Sequence, residues 1–473
     1  MKALSPPLFA IVLLTSAAYF ITGMAHAQSV PYIHNGTDLI SCEPAPCVLP
    51  PTQASEGGSE VADAPIAADP LNPLHLLLGS VDDNCPQPSA SGFHISSDGG
   101  STWSRTCMPT INASGRVYWP GGEPMVDYDL NGAGYIADGY GDSEGLGYGL
   151  IGLQKSTDGV NWSTPVIALG SPNIFKQPDW ASFAIDRSPQ SPFANNLYIS
   201  AVVLNEPLQN ENQLVVSHSR DGGTNWKSVA VAPVQVSPAE DNFTVIAIGE
   251  DGTAYLTWLY CPGSGLDAHC NNSKAYMVFS KSVDGGDTWS TPSLMTIVMM
   301  PPDWTLPNSS VSVYNYPAIG VDNGNGPHAG NLYAVMYNWT GTYLRVEVIH
   351  STDGGSTWSK PVPVAPASAN HDQFFPWLSV SPTGLVGVSW LDRRNDPANV
   401  DYQAFAAISR DGGQTFQPNV QLTTAFSNPN INNETSMGDY TGNTWNGPNF
   451  VAAWMDSSNG VDMQDVVGGI RLH

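Results

Sequence analysis

The chain repeats itself. Six segments carry the pattern Ser-x-Asp-x-Gly-x-Thr-Trp with some wear: SSDGGSTW at 96–103, STDGVNW at 156–162, SRDGGTNW at 219–226, SVDGGDTW at 282–289, STDGGSTW at 351–358 and SRDGGQTF at 409–416. Their aspartates, Asp98, Asp158, Asp221, Asp284, Asp353 and Asp411, step by 60, 63, 63, 69 and 58 residues, the signature of a repeated supersecondary unit. The motif reads as a pinned β-hairpin. Its carboxylate accepts backbone N–H groups across the turn, its glycines supply positive φ, and its Trp restarts the next strand over an apolar face. Six copies of one aspartate serve structure rather than catalysis.

Each box follows an apolar strand, a short turn and a second strand, as in FTVIAIGEDGTAYLTW or FPWLSVSPTGLVGVSWLD. A third strand runs into the box, as in AYMVFSKS, and a fourth leaves it. That is a four-stranded antiparallel meander, the blade of a β-propeller. Units begin near 64, 123, 178, 241, 315, 374 and 436. The seventh has no box; GDYTGNTW, FVAAWMD and DVVGGIRL give it three strands. The segment 28–63, with 30–40 as the candidate strand, is expected to complete it. The expected fold is therefore all-β, one propeller over 28–473 with seven blades; a six-bladed ring with the last strands merged is the alternative.

Composition narrows function. Among 473 residues, 42 are acidic and 16 basic, a formal charge of -26, which repels phosphate backbones and argues against a nucleic-acid partner. With 41% hydrophobic residues and 14 Trp the chain is not disordered. Lys2, the apolar run 8–21 and Ala25-His26-Ala27 read as a signal peptide over 1–27. No later segment is apolar enough to span a bilayer, so the expectation is a secreted or periplasmic monomer. Six cysteines in an exported chain favour disulfides. Sequence proximity suggests Cys42–Cys47, Cys85–Cys107 and Cys261–Cys270 among the 15 possible connectivities.

The six boxes resemble the Asp-box, or bacterial neuraminidase repeat, and the mature chain looks like a secreted member of the sialidase-like propeller superfamily. The resemblance implies action on extracellular glycans, as a glycoside hydrolase of exo-sialidase type or a uronate-directed lyase, or non-catalytic binding of carbohydrate or protein. Sialidases carry an Arg-Ile-Pro motif before the first box. Here no arginine precedes Arg105, which follows that box, so the motif is absent.

In such a blade the loops joining strand two to three, and strand four to the next blade, emerge opposite the boxes, where propellers place ligands. Segments 116–123, 176–180, 240–242, 314–316, 371–375, 392–396 and 434–440 fall on that face. They bring the carboxylates Glu123, Asp179, Asp241, Asp372, Asp392 and Asp439, of which glycoside hydrolysis needs two. His371, Asp372, Asp439 and Tyr440 are the catalytic candidates: His371 for proton transfer, and Tyr440 because it sits loosely where sialidases keep their Tyr. Arg116, Arg345, Arg393 and Arg394 are candidates to bind a ligand carboxylate, with Trp119 and Phe374 for sugar stacking. The competing reading pairs Arg393 and Arg394 with Asp392 and Asp396 as loop braces. Asp127-x-Asp129-x-Asn131-Gly132, with Asp138 at position twelve, matches most of a calcium loop. Equivalent stretches elsewhere are hairpins, so a hairpin is expected here too. No cofactor is expected, though a structural calcium ion elsewhere is compatible with the charge.

Overall fold

The computed structural model describes residues 45–58, 61–172, 175–205, 210–263, 274–431 and 436–473. The signal-peptide segment, residues 30–40, Cys42 and Cys270 lie outside them. Seven antiparallel sheets follow one another along the chain. Their first strands, Ile66–Ala68, Met125–Tyr128, Lys176–Ile185, Glu240–Ile248, Ala318–Val321, Gln373–Val380 and Gly442–Asn446, contact one another in sequence, and the last touches the first. The result is a seven-bladed β-propeller around a central channel.

The seal joins the two ends of the chain. Cys47–Gln53 pairs antiparallel with Gln464–Arg471, Cys47 facing Arg471 and Gln53 facing Val466. The strand that completes blade 7 thus begins downstream of the expected 30–40. Blade 2 carries an addition that the repeat does not announce: a hairpin of Ile111–Ala113 and Arg116–Pro120, whose second strand pairs with the end of Gly134–Asp142.

The boxes pin their hairpins as the residue types require. In the first, Asp98 accepts the Thr102 N–H at 2.9 Å and its hydroxyl at 2.6 Å, while the Ser96 hydroxyl accepts the Gly100 N–H at 2.8 Å. The Trp103 indole donates to the Gly100 carbonyl at 3.1 Å. The shortened second box keeps the scheme, Asn161 donating through backbone and amide to Asp158 at 2.7 and 2.8 Å. The calcium-like stretch is a hairpin turn. Asp129 accepts the N–H groups of Asn131 and Ala133, while Asp127 accepts from Ile185 and faces Arg187 at 3.3 Å.

Between blades the faces pack as dry layers; blades 5 and 6 bury Tyr333, Val346, Val348, Val388, Trp390 and Phe405 together. Such burial drives blade stacking. Cys85 and Cys107 form a disulfide with Cα atoms 5.8 Å apart, tying the outer strand of blade 1 to the loop before its third strand. Cys47 and Cys261 are also disulfide-bonded, and their expected partners Cys42 and Cys270 fall outside the described residues. Among the described residues, no helix is long and apolar enough to cross a membrane.

Candidate functional site: an arc of carboxyls at the channel mouth

At the face opposite the boxes, each inner strand enters the ring with one residue at its threshold. In blade order these are Asp63, Glu123, Asp179, Asn242, Asn315, Phe374 and Asp439. The acids occupy four consecutive blades, 7, 1, 2 and 3. The other three blades present amides or an aromatic ring.

The arc is bound together across the seam. Asp63, in a left-handed conformation with φ 58°, accepts the backbone N–H groups of Asp439 and Tyr440 at 2.5 and 3.4 Å. Glu123 accepts N–H groups of Trp180 and Ala181 from the next blade, both at 3.3 Å, and shares a hydrogen bond with Asp179. Its own N–H donates to Asp138 at 2.7 Å, and Asp138 also takes the Ser91 hydroxyl. Asp63, Glu123 and Asp138 are buried, whereas Asp179 and Asp439 keep a partial opening to solvent.

Crowded like charges in a desolvated site cannot all ionise. Burial pushes Asp63 and Asp138 up to about 7. Glu123 stands well above the usual carboxylate range, from burial first and then from the charges of Asp179, Asp439 and Asp63. Asp439 is raised well above it too, by the protein around it and by Asp63 and Asp179. At neutral pH the arc therefore holds protons and negative charge together, the condition for one carboxyl to donate while another accepts.

Aromatic rings floor the arc. Tyr316, 3% exposed, stacks edge-on to Tyr440 with centroids 5.0 Å apart and lies 5.0 Å from the Phe243 ring. The Tyr440 hydroxyl donates to the Pro124 carbonyl at 2.8 Å. The Tyr316 hydroxyl faces Asp439 and Glu123, close enough to lower the Asp439 pKa slightly, yet it has no hydrogen-bond partner of good geometry. Below the floor lies a channel cavity of about 270 Å³, lined by Pro65, Met125, Ala181, Ile319 and Trp377 among others.

The structure brings Asp439 and Tyr440 to this place, together with Glu123 and Asp179. His371, Asp372, Arg393 and Arg394 lie in a different arrangement. Asp372 and Arg393 form a wholly buried ion pair at 3.2 Å. Asp372 also accepts from Leu344 N–H and Asn399, and Arg393 donates to the Pro307 carbonyl. Arg394 pairs with Asp392 at 2.5 Å and lies over the Phe405 ring. These contacts brace blade 6 and leave the two guanidinium groups little freedom to reach a ligand. Phe374 is fully buried between Phe375, Tyr402 and Arg393, and His371 is partly exposed beside it. Arg345 pairs with Glu347 at 2.5 Å. Arg116 lies over Tyr148 and near Glu144, on the added hairpin of blade 2 that also exposes Trp119. Asp63, Asp138 and Tyr316 were not singled out as catalytic from the sequence. The signal for Asp63 was its place before the first inner strand, matching that of Asp439 before the last.

No known family profile matches the chain, and no curated protein matches it. Similar solved structures exist. A Penicillium chrysogenum α-L-arabinanase complexed with arabinobiose aligns over 90% of this chain and 99% of its own, at 12% identity and TM-score 0.47. A Trypanosoma rangeli sialidase in complex with sialic acid aligns over 78% of this chain and 55% of its own, at 12% identity and TM-score 0.45. A Dyadobacter fermentans protein of unknown function aligns over 74% and 94%, at 16% identity and TM-score 0.45. The likeness is one of fold.

Proposed function

We propose that the carboxyl arc is the active centre of a glycoside hydrolase acting on a neutral extracellular glycan. The observation that carries this reading is the hydrogen-bonded Glu123–Asp179 pair, with Asp439 beside it, at a solvent-reachable channel mouth. Hydrolysis of a glycosidic bond needs one carboxyl that keeps its proton for the leaving oxygen and one that is ionised against the sugar's anomeric carbon or a water. Glu123, which burial and its neighbours keep protonated, suits the first role. Asp179, nearer solvent, suits the second, and Asp439, itself raised, stands beside the pair. Tyr316 stands in the floor with its hydroxyl beside Asp439 and Glu123, within reach of a substrate at the arc.

Substrate charge follows from the surroundings. Among the described residues, no Arg or Lys pairs with Asp63, Glu123, Asp138 or Asp439; Arg116, Arg187, Arg345, Arg393 and Arg394 all face carboxylates elsewhere. An anionic sugar would meet uncompensated negative charge, so neutral glycans are favoured over sialosides and uronates. The disulfide Cys85–Cys107 fits an oxidising compartment outside the cytoplasm.

The test is a hydrolysis screen of the purified protein on arabinans, xylans and galactans, with sialosides and uronate polysaccharides alongside. Glu123→Gln and Asp439→Asn should each lower kcat by a factor on the order of 100 or more with folding retained. Binding without turnover, equal in wild type and variants, would assign the face to a glycan-binding propeller instead.

A further inference from the structure

One face of blade 4 carries a side-chain ladder separate from the arc. The strands Glu240–Ile248, Ala254–Cys261 and Lys274–Ser282 set Asp241 opposite Tyr260, and Tyr260 opposite Tyr276. Trp258, two residues before Tyr260, points to the same side, since side chains alternate along a strand. Pro233 and Gln235, which follow the outer strand of blade 3, wall the opposite side. Together they enclose a cavity of about 300 Å³.

The chemistry inside is specific. Asp241 is 1% exposed, and its Oδ1 accepts the Trp258 indole N–H at 2.8 Å. Its Oδ2 is buried without a hydrogen-bond partner of good geometry, although the Gln235 amide lies near; that amide donates to the Pro233 carbonyl. A bare carboxylate oxygen in an apolar wall is costly unless something covers it. The tyrosine rings at the entrance are half-buried, with centroids 6.3 Å apart and planes tilted by 48°. Two tyrosine rings beside one buried carboxylate offer a cation both a counter-charge and aromatic surface to pack against. The channel mouth has no such combination: its acids crowd one another.

We propose that this cavity binds an organic ammonium group, alkyl or quaternary, with the cation against Asp241 Oδ2 and its alkyl substituents against the rings of Tyr260 and Tyr276. Burial raises Asp241 to about 7, and a bound cation would draw it back toward the ionised form. The group can come from a free small molecule or hang from a larger one; both present the same chemistry. The inference does not depend on the hydrolase reading, and glycan turnover should be indifferent to it.

The experiment titrates the full protein with choline, with Nα-acetyl-lysine methylamide and with 3,3-dimethyl-1-butanol, the uncharged isostere of choline, by calorimetry and tryptophan fluorescence. Saturable binding of choline supports a free small ligand, and binding of the lysine derivative alone supports a pendant one. The isostere should bind at least about tenfold more weakly. Asp241→Asn, which keeps an acceptor for Trp258, should weaken the ammonium by about tenfold or more. Tyr276→Leu should weaken it several-fold, and it decides the matter should Asp241→Asn fail to fold. Absence of saturable binding by either ammonium probe, equal binding of the isostere, or indifference to the folded variants would overturn the proposal.

Discussion

Asp411 sits in a hairpin turn and Asp138 in mid-strand, and their surroundings drive their carboxyls in opposite directions. Asp411, in the sixth box, accepts the Thr415 N–H at 2.9 Å and its hydroxyl at 2.5 Å, and hydrogen bonds hold its carboxyl below the usual range despite some burial. Its contribution to stability is present above about pH 4 and lost as pH falls through its lowered folded pKa. Asp411→Ala should lower Tm at neutral pH by roughly 1–3 °C, less at pH 3, and leave glycan turnover unchanged. Asp138 is fully buried and pushed up to about 7. Between about pH 4 and 7 the folded state holds a proton there that the unfolded chain releases, so stability falls as pH rises through that window. Asp138→Asn keeps an acceptor for Glu123 and a partner for Ser91. It should therefore flatten the decline of Tm from pH 5 to 8 and raise Tm at pH 8. A variant that declines as steeply as wild type would show that Asp138 is already ionised at pH 5.

At the scale of strands, blades 3, 4 and 6 enter the ring through the same irregularity. Pairing slips between Asp179 and Ser182, Asn242 and Val245, and Phe374 and Trp377. In each slip an aromatic residue, Trp180, Phe243 or Phe375, takes a left-handed φ of 49°, 55° or 46°. Bulky side chains rarely adopt that conformation, and packing must hold them there. Phe243 shows how: it touches the rings of Trp180, Trp304, Tyr314 and Tyr316. Phe243→Ala should cost about 3–5 kcal/mol in a denaturant melt and loosen Tyr316 above the channel. The strands themselves were legible in the sequence because alternation and the boxes repeat with each unit. The slips were not, since a bulge is set by what the neighbouring blade offers rather than by its own residues. The hairpin at 111–120 escaped for a related reason: it fits inside an ordinary 60-residue step between boxes, so the period does not announce it.

The molecule as a whole decides the rest. Asp63 and Asp439 are 376 residues apart in the chain and meet through a hydrogen bond across the seam. Residue types and unit positions pointed to Asp439, Glu123 and Asp179 as separate candidates. Their union needed ring closure, which no local pattern reports. Arg393 and Arg394 were open to two readings, an anion clamp or loop braces; the folded chain sets Arg394 against the expected Asp392 and Arg393 against Asp372 rather than Asp396. Deleting residues 47–53 should leave the edge of Gln464–Arg471 unpaired, an invitation to pair between molecules. Size-exclusion chromatography should then show species larger than those of the full protein. An unaltered profile would show that the three remaining strands of blade 7 suffice.

Closure by the two chain ends also sets a timetable. The strand at 47–53 is synthesised before the blades it will close, and its partner at 464–471 only after them. Until then Asp63 has no Asp439 beside it, and four neighbouring acids are at most three. On the proposed function, a chain whose 47–53 and 464–471 strands have not yet met is chemically silent, and activity begins with closure of the ring.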